Sequence, residues 1–379
     1  MTTQKIIAMI KNLQTQTTTM RESCIMKKQI LAIAIATGLT AAPLLAQAEA
    51  TVYGRAHVSL DHVETGGGAS AGGTDAEFDL NDRKSAFGVK SKEDLGGGLT
   101  VMAKFEWSVN PTDVGSAIGV RDRWIGLKKA GMGTVKFGTL SSNYKETAAK
   151  MDPFWHTAAE GRGTGSTSDL SNSSGDDGGR MSNLLHFSSA PMGGMQVVLN
   201  AQLNGTGEMT TGLGIRYEAK GLYVFADMLN IENDANTDGV SDHRRYAAGE
   251  SATKFGVKYT MDALTAGVVV EQTADVTAVV RTGAGTTASP YVYTVTPGAG
   301  YDYTTLMATY ALNDNDTVAF TYGMAAHDTA AAADMDTVAL GYMHNMSKST
   351  TVYAAYVDRS SDTASAELNG LTFGLKHSF

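Results

Sequence analysis

Apolar and polar residues change places at every second position through most of this chain. In its last nine residues Leu371, Phe373, Leu375, His377 and Phe379 share one face, and Thr372, Gly374, Lys376 and Ser378 the other. The stretch from Thr51 does the same: Val52, Gly54, Ala56, Val58 and Leu60 oppose Arg55, His57, Ser59 and Asp61. From Leu99, the residues Leu99, Val101, Ala103, Phe105 and Trp107 oppose Thr100, Met102, Lys104 and Glu106. Val318, Phe320 and Tyr322, then Val338, Leu340 and Tyr342, repeat the pattern. Around Tyr353 and Tyr356 both faces carry an aromatic. The pattern predicts an all-β chain of many half-apolar strands.

Alternation fits a two-sheet sandwich as well as a barrel, and the rhythm of the connections separates the two. Short turns are predicted at Lys92 to Gly98, Ala130 to Gly133, Ala190 to Gly194, Glu218 to Gly221, Thr260 to Ala263, Leu312 to Asp316 and Asn345 to Ser349. Longer polar connections alternate with them, at 65–77, 110–118, 141–179, 204–210, 231–249, 274–300, 326–334 and 361–367. Seven short turns and eight long loops join sixteen antiparallel strands. An even strand count, with short turns at one end and long loops at the other, is the pattern of a transmembrane β-barrel. Closure leaves no strand edge, as lipid requires. Sixteen strands are wide enough for an aqueous bore.

The first fifty residues have a different character. Met26-Lys27-Lys28, an apolar run from Ile30 to Leu45 and Ala48-Glu49-Ala50 form a secretory signal peptide over 26–50, cleaved after Ala50. Residues 1–25 are polar and patternless, and read as an over-extended start; 51–379 is the barrel. The one cysteine, Cys24, falls in the leader, so the exported chain has no disulfide framework, thiol nucleophile or cysteine-held metal. The leader holds five of the 30 basic and two of the 39 acidic residues. The remainder therefore sets 25 basic against 37 acidic, a net of −12. That balance argues against nucleic acid as a partner.

Several pieces, in order along the chain, resemble the general trimeric porins of Gram-negative bacteria: TVYG at 51, SAFGVKSKEDLGGGL at 85–99, RDRWIGLKKAGMGTVKFG at 121–138, MDPF at 151, RMSNLLHFSSAPMGGM at 180–195 and GLKHSF at the end. The resemblance implies an outer-membrane homotrimer with periplasmic turns, extracellular loops and a third loop folded into the lumen. It would pass ions and small hydrophilic solutes by passive diffusion, filtered by size and charge at the constriction. Implied partners are membrane lipid, lipopolysaccharide and the barrel-insertion machinery. That machinery would read the terminal strand, with Phe373, Leu375 and Phe379 as its signal.

The resemblance places wall cations opposite the third loop. Arg121 and Arg123 stand two apart at the head of a strand and so are read on one face, with Trp124 turned the other way. Arg180 begins the strand returning from the loop, and Lys90 and Lys136 face the lumen by alternation. Ala86 stands where the family often has arginine, with Lys84 as a substitute charge, so the sign of ion selectivity stays open. On the loop, Glu146, Asp152 and Glu160 form the acidic side. The segment Tyr144 to Glu160 is expected to fold inward and Gly163 to Gly179 to lie outside in solvent.

Other chemistries have weaker support. Asp234, Asn236 and Asp238 with Gly239 carry half of a calcium-loop pattern, but Arg245 replaces the closing Glu; no cofactor is expected. The G-x-S-x-G match at Gly68 to Gly72 sits in a glycine-rich polar connection and not at a strand-to-helix elbow, so it gives a hydrolase little support. Tyr291, Tyr293, Tyr301 and Tyr303 could form the track of a substrate-specific porin, although a girdle at the membrane interface fits them better.

Overall fold

The structure, a computed structural model, describes residues 49–66, 77–115, 118–168, 170, 179–203, 209–231, 250–274, 278–282, 292–296, 300–327, 334–363 and 366–379. The calcium-like loop at Asp234, Asn236 and Asp238, and Tyr291, lie outside them. Sixteen wall strands form one closed antiparallel sheet: β1 (Glu49–Thr65), β2 (Phe78–Asp82 with Ala86–Asp94), β3 (Leu99–Ser108), β4 (Gly119–Lys129), β5 (Gly133–Ser141), β6 (Arg180–Ser189), β7 (Met195–Gln202), β8 (Thr211–Ala219), β9 (Leu222–Ile231), β10 (Glu250–Met261), β11 (Leu264–Ala274), β12 (Tyr301–Ala311), β13 (Asp316–His327), β14 (Met335–Asn345), β15 (Thr350–Ser361) and β16 (Leu368–Ser378).

Every strand pairs with its sequence neighbours, and β16 returns to β1 in register from Arg55↔Ser378 to Thr65↔Leu368. Phe379 extends the seam, exchanging backbone hydrogen bonds with Gly54 at 2.9 and 3.0 Å. All seven predicted turns are present. One of the two-residue turns, Lys220-Gly221, places both residues at positive φ, 49° and 80°, which matches the twist of a two-residue hairpin. The sixth loop adds a small hairpin of its own, Ala278–Thr282 with Val292–Thr296.

The second strand is broken. Its two parts both lie against β1, and three residues, Arg83 to Ser85, bridge the two-residue gap between the partners of Val58 and Arg55. Asp82 holds the break by accepting from the amides of Ser85 (2.9 Å) and Lys84 (3.2 Å), with Lys84 at φ 66°.

The barrel is apolar outside. Val52, Phe87, Phe105, Ile125, Phe137, Ile215, Phe255, Leu306, Leu340, Phe373 and Leu375 are exposed on its outer face, as the alternation requires of a lipid-facing surface. Tyr259, Tyr310 and Tyr342 are also exposed, each a few residues before a short turn, where an aromatic girdle belongs. Tyr301 and Tyr303 do not join it. They share the inward face of β12 with buried Thr305 and Met307, and stack on each other with ring centroids 5.5 Å apart.

No single core fills the interior; the third loop does part of that work. It leaves β5 through α1 (Asn143–Met151), capped by Ser142, and passes a short α2 (Gly161–Thr164) before returning to β6. Glu146 in the first turn and Lys150 in the last complement the helix dipole. Small apolar clusters pin the loop to the wall. Tyr144 and Leu170 pack with Leu229, Ile231 and Ala252; Met151 packs with Tyr223, Phe225, Val269 and Met307; Phe154 packs with Ala319, Ala339, Ala355 and Val357.

Buried polar contacts fix its register. Tyr144 donates its hydroxyl to Glu271 at 2.6 Å, and burial beside that carboxylate holds its phenol proton on. Asp227 accepts from Asn143 (2.7 Å) and from Thr147. Lys254 donates to the Tyr144 carbonyl at 2.6 Å. Farther on, Thr337 donates to the Thr164 carbonyl (2.9 Å), Thr305 to that of Ser166 (2.5 Å), and Ser168 to Glu271. This corrects the expected split of the loop: Thr164, Ser166, Ser168 and Leu170 are buried against the wall from β9 to β14 instead of lying outside.

Two outcomes test this packing. A Cβ at Gly374 on β16 would run into the Tyr353 ring, whose hydroxyl meets His57 Nε2 at 3.1 Å across the seam. Gly374→Ala is expected to destabilise the barrel by about 1–3 kcal/mol, read as a lower urea midpoint in lipid vesicles. Glu271→Ala should orphan the Tyr144 and Ser168 donors, costing about 1–3 kcal/mol each. Faster hydrogen exchange across Asn143–Met151 is the expected sign; unchanged protection would contradict the anchoring.

Candidate functional site

Loop contacts run round the wall from β7 to β15, leaving the inner face of β1 to β5 open to the bore. Two open spaces mark that path. One, of about 410 Å³, lies toward the long loops between Asp61, Asp79 and Arg83 on the wall and Thr157, Glu160 and Gly163 on the loop. The other, of about 460 Å³, lies toward the short turns among Thr51, Lys90, Lys92, Lys104 and Trp124.

A chain of charges crosses the wall between them. Glu106 on β3 accepts from Tyr53 at 2.8 Å and pairs with Arg121. Lys104 lies 3.3 Å from Glu106 and 2.8 Å from Asp122. Arg180 Nε meets the other oxygen of Asp122 at 2.7 Å. Each carboxylate is thus held between two cationic side chains, which offsets the cost of drying these groups in a narrow site.

A β-bulge builds this arrangement. Phe105 pairs with Arg123 and Trp107 with Val120, so Arg121 and Asp122 together oppose the single residue Glu106. Both turn inward, where they are largely hidden. The bulge corrects the face assignment made from alternation. Arg123 lies exposed on the outer face in line with Ile125 and Leu127, not beside Arg121. Trp124 points inward, with Lys136 Nζ 5.1 Å from its ring centre. Lys90 also faces inward, 5.3 Å from the centre of the Tyr53 ring.

The three loop carboxylates are on the inside, but each is engaged locally. Glu146 accepts from Arg216 on β8 at 2.9 Å. Asp152 folds the loop on itself, accepting from the amides of Phe154 and Gly161, both at 2.8 Å. Burial pushes its carboxyl up to about 6. Glu160 accepts from the His156 amide and from Arg162, both at 2.8 Å, while that guanidinium stacks 3.7 Å from the centre of Trp155. Glu146 thus pairs with the wall arginine Arg216, but among the described residues no loop carboxylate pairs with Arg121, Arg123 or Arg180. The wall partners Glu106 and Asp122 and the anchors Asp227 and Glu271 were missed by sequence reasoning. The polar face naming Lys104 and Glu106 was the one visible signal for them.

Comparison with known proteins agrees with this architecture. A profile described as Gram-negative porin matches residues 31–364. The major outer membrane protein P.IB of Neisseria gonorrhoeae is 32% identical over 152 residues, 38% of this chain and 40% of that protein. This chain's match thus spans well under half of that relative's length. The P.IB protein of Neisseria lactamica is 25% identical over 372 residues, 93% of this chain and 100% of its own. Among solved structures, an anion-selective porin from Comamonas acidovorans has a TM-score of 0.69 at 17% identity, covering 88% of this chain and 100% of its own, a likeness of fold. With the family profile matching most of its length on a closed barrel, this chain belongs to the Gram-negative porin family and is a protein of the outer membrane.

Proposed function

We propose that the barrel is a water-filled channel for passive diffusion of ions and small hydrophilic solutes, assembled as a homotrimer in the outer membrane. The observation that carries this reading is the open bore between the third loop and the β1 to β5 wall, lined by charged groups while the outer face is apolar. No bond is made or broken. Selection acts by size where the loop narrows the bore, and by the field of the side chains around it.

The sign of that field follows from the pairing. Arg121, Arg162 and Arg180 have carboxylate partners in Glu106, Glu160 and Asp122. Arg55 instead donates to the Lys84 carbonyl at 2.7 Å, and Lys104 shares carboxylates already engaged by arginine. Cations are in excess at the narrow zone although the whole chain is acidic, and nearby charges act through less screening than remote ones. The channel should therefore lean modestly toward anions.

Single-channel recording of the purified protein in planar bilayers under a KCl gradient tests the proposal. Conductance in three equal steps with a reversal potential on the anion side is expected. Arg180→Ala should move that potential toward cations, and Asp122→Asn should move it the other way. Arg123→Ala, on the outer face, should leave it in place. Saturable flux of one solute would favour a substrate-specific pore, and a folded barrel without conductance would refute the channel.

A further inference from the structure

Lys145 is the one basic side chain of α1 that the wall leaves uncommitted. It sits in the first helical turn, its amide capped by Ser142 Oγ at 3.2 Å, and is only 5% exposed. Among the described residues, its ammonium nitrogen has no hydrogen-bond partner. The side chains around it are arranged unfavourably for a charge. Arg180 from β6, Arg121 from β4, and Arg162 and His156 from the loop bear on it. Asp122 from β4 is the carboxylate that opposes them, and it already accepts from Lys104 and Arg180. Glu146, its neighbour on the helix, is held by Arg216.

We propose that Lys145 is a specificity-determining residue of the constriction: neutral it leaves the filter at its modest anion preference, and protonated it adds a fixed cation that strengthens that preference. The proposal rests on the channel reading above and adds a regulator to it. Arg121, Arg162, Arg180 and Lys104 are each paired with a carboxylate, and Arg55 is seated on a carbonyl. The proton on Lys145 is thus the charge most easily changed there without breaking a contact.

Burial is the main cause of its behaviour, and the three guanidinium groups add to it; together they pull the amine down to about 6. The sign is as follows. Above that value Lys145 is uncharged, and as pH falls through it the site gains one positive charge. His156 is pushed down by burial and by Arg55, Arg162 and Arg121, so it stays neutral across this range. Asp152, pushed up to about 6, loses a negative charge over the same interval and acts in the same direction, so it must be tested separately.

Reversal potentials under a KCl gradient, measured at pH 8 and pH 5, test the proposal. In the native channel the anion-to-cation permeability ratio should rise at pH 5, by roughly threefold to tenfold for one charge at about 10 Å or less in a part-aqueous site. Lys145→Met, close in shape to the neutral lysine, should lose most of that rise and stay near the pH 8 ratio, the small remainder being that of Asp152. Lys145→Arg should show the pH 5 ratio at both, and Asp152→Asn should keep most of the native shift. A Lys145→Met channel that shifts as far as the native one overturns the proposal, as does a native channel with no shift. Either result leaves the channel itself standing, whereas absence of conductance would fail the channel reading instead. Since Lys145→Met replaces a buried neutral side chain with another of similar shape, it decides the matter even where Lys145→Arg does not assemble.

Discussion

A backbone that crosses lipid must pair every N–H and C=O within the protein, and the rest of this structure depends on that constraint. It is met by closing β16 on β1, from Arg55↔Ser378 to Thr65↔Leu368, with Phe379 and Gly54 completing the seam. Closure reverses the usual order of a folded protein. The apolar residues go outside, and the inner face must accommodate water and charge. A loop that would be exposed on a soluble domain can then find its best packing inside. The third loop does so through small apolar clusters around Tyr144, Met151 and Phe154 and through buried acceptors on Asp227 and Glu271.

Charge inside the barrel is organised by local pairing. Glu106 and Asp122 on the wall, and Glu146 and Glu160 on the loop, each have a cation within reach. An unpaired ion in such a site would be costly, whereas a paired one is tolerated and fixes its neighbours' geometry. A consequence is that the field in the bore is smaller than a count of charged residues suggests. Selectivity is then set by the few groups left over after pairing, which gives individual residues such as Lys145 influence out of proportion to their number.

Much of the architecture was legible in the sequence, because closure imposes period-two alternation and an alternation of short and long connections. The strand count and the seven turns follow from those patterns, whereas the inward fold of Tyr144 to Glu160 was what the family resemblance implied. The inward faces of Lys90 and Lys136 follow from strict alternation along β2 and β5. Strict alternation failed where the backbone gains a residue. The bulge at Arg121-Asp122 carries no glycine or proline to announce it, and it sends Arg123 outward. The break at Arg83 to Ser85 depends on Asp82 accepting two amides, a local device that reads as ordinary polarity in sequence. Gly163 to Gly179 reads as a solvent loop because it is rich in Ser, Gly and Asp; within it the carbonyls of Thr164 and Ser166 and the hydroxyl of Ser168 are anchors.

The central claim is that the permeation path runs between the third loop and the bulged wall at Arg121-Asp122. Residues 51–379 contain no cysteine, so in a chain that begins at Thr51 one introduced thiol reports on one position. The most direct measurement is single-channel current of Asp122→Cys before and after a charged, water-soluble thiol reagent, with Arg123→Cys alongside. Modification at 122 should reduce the current sharply, while modification at 123 should leave it unchanged. Block at 123 with none at 122 would place the bulge on the wrong face and contradict the account.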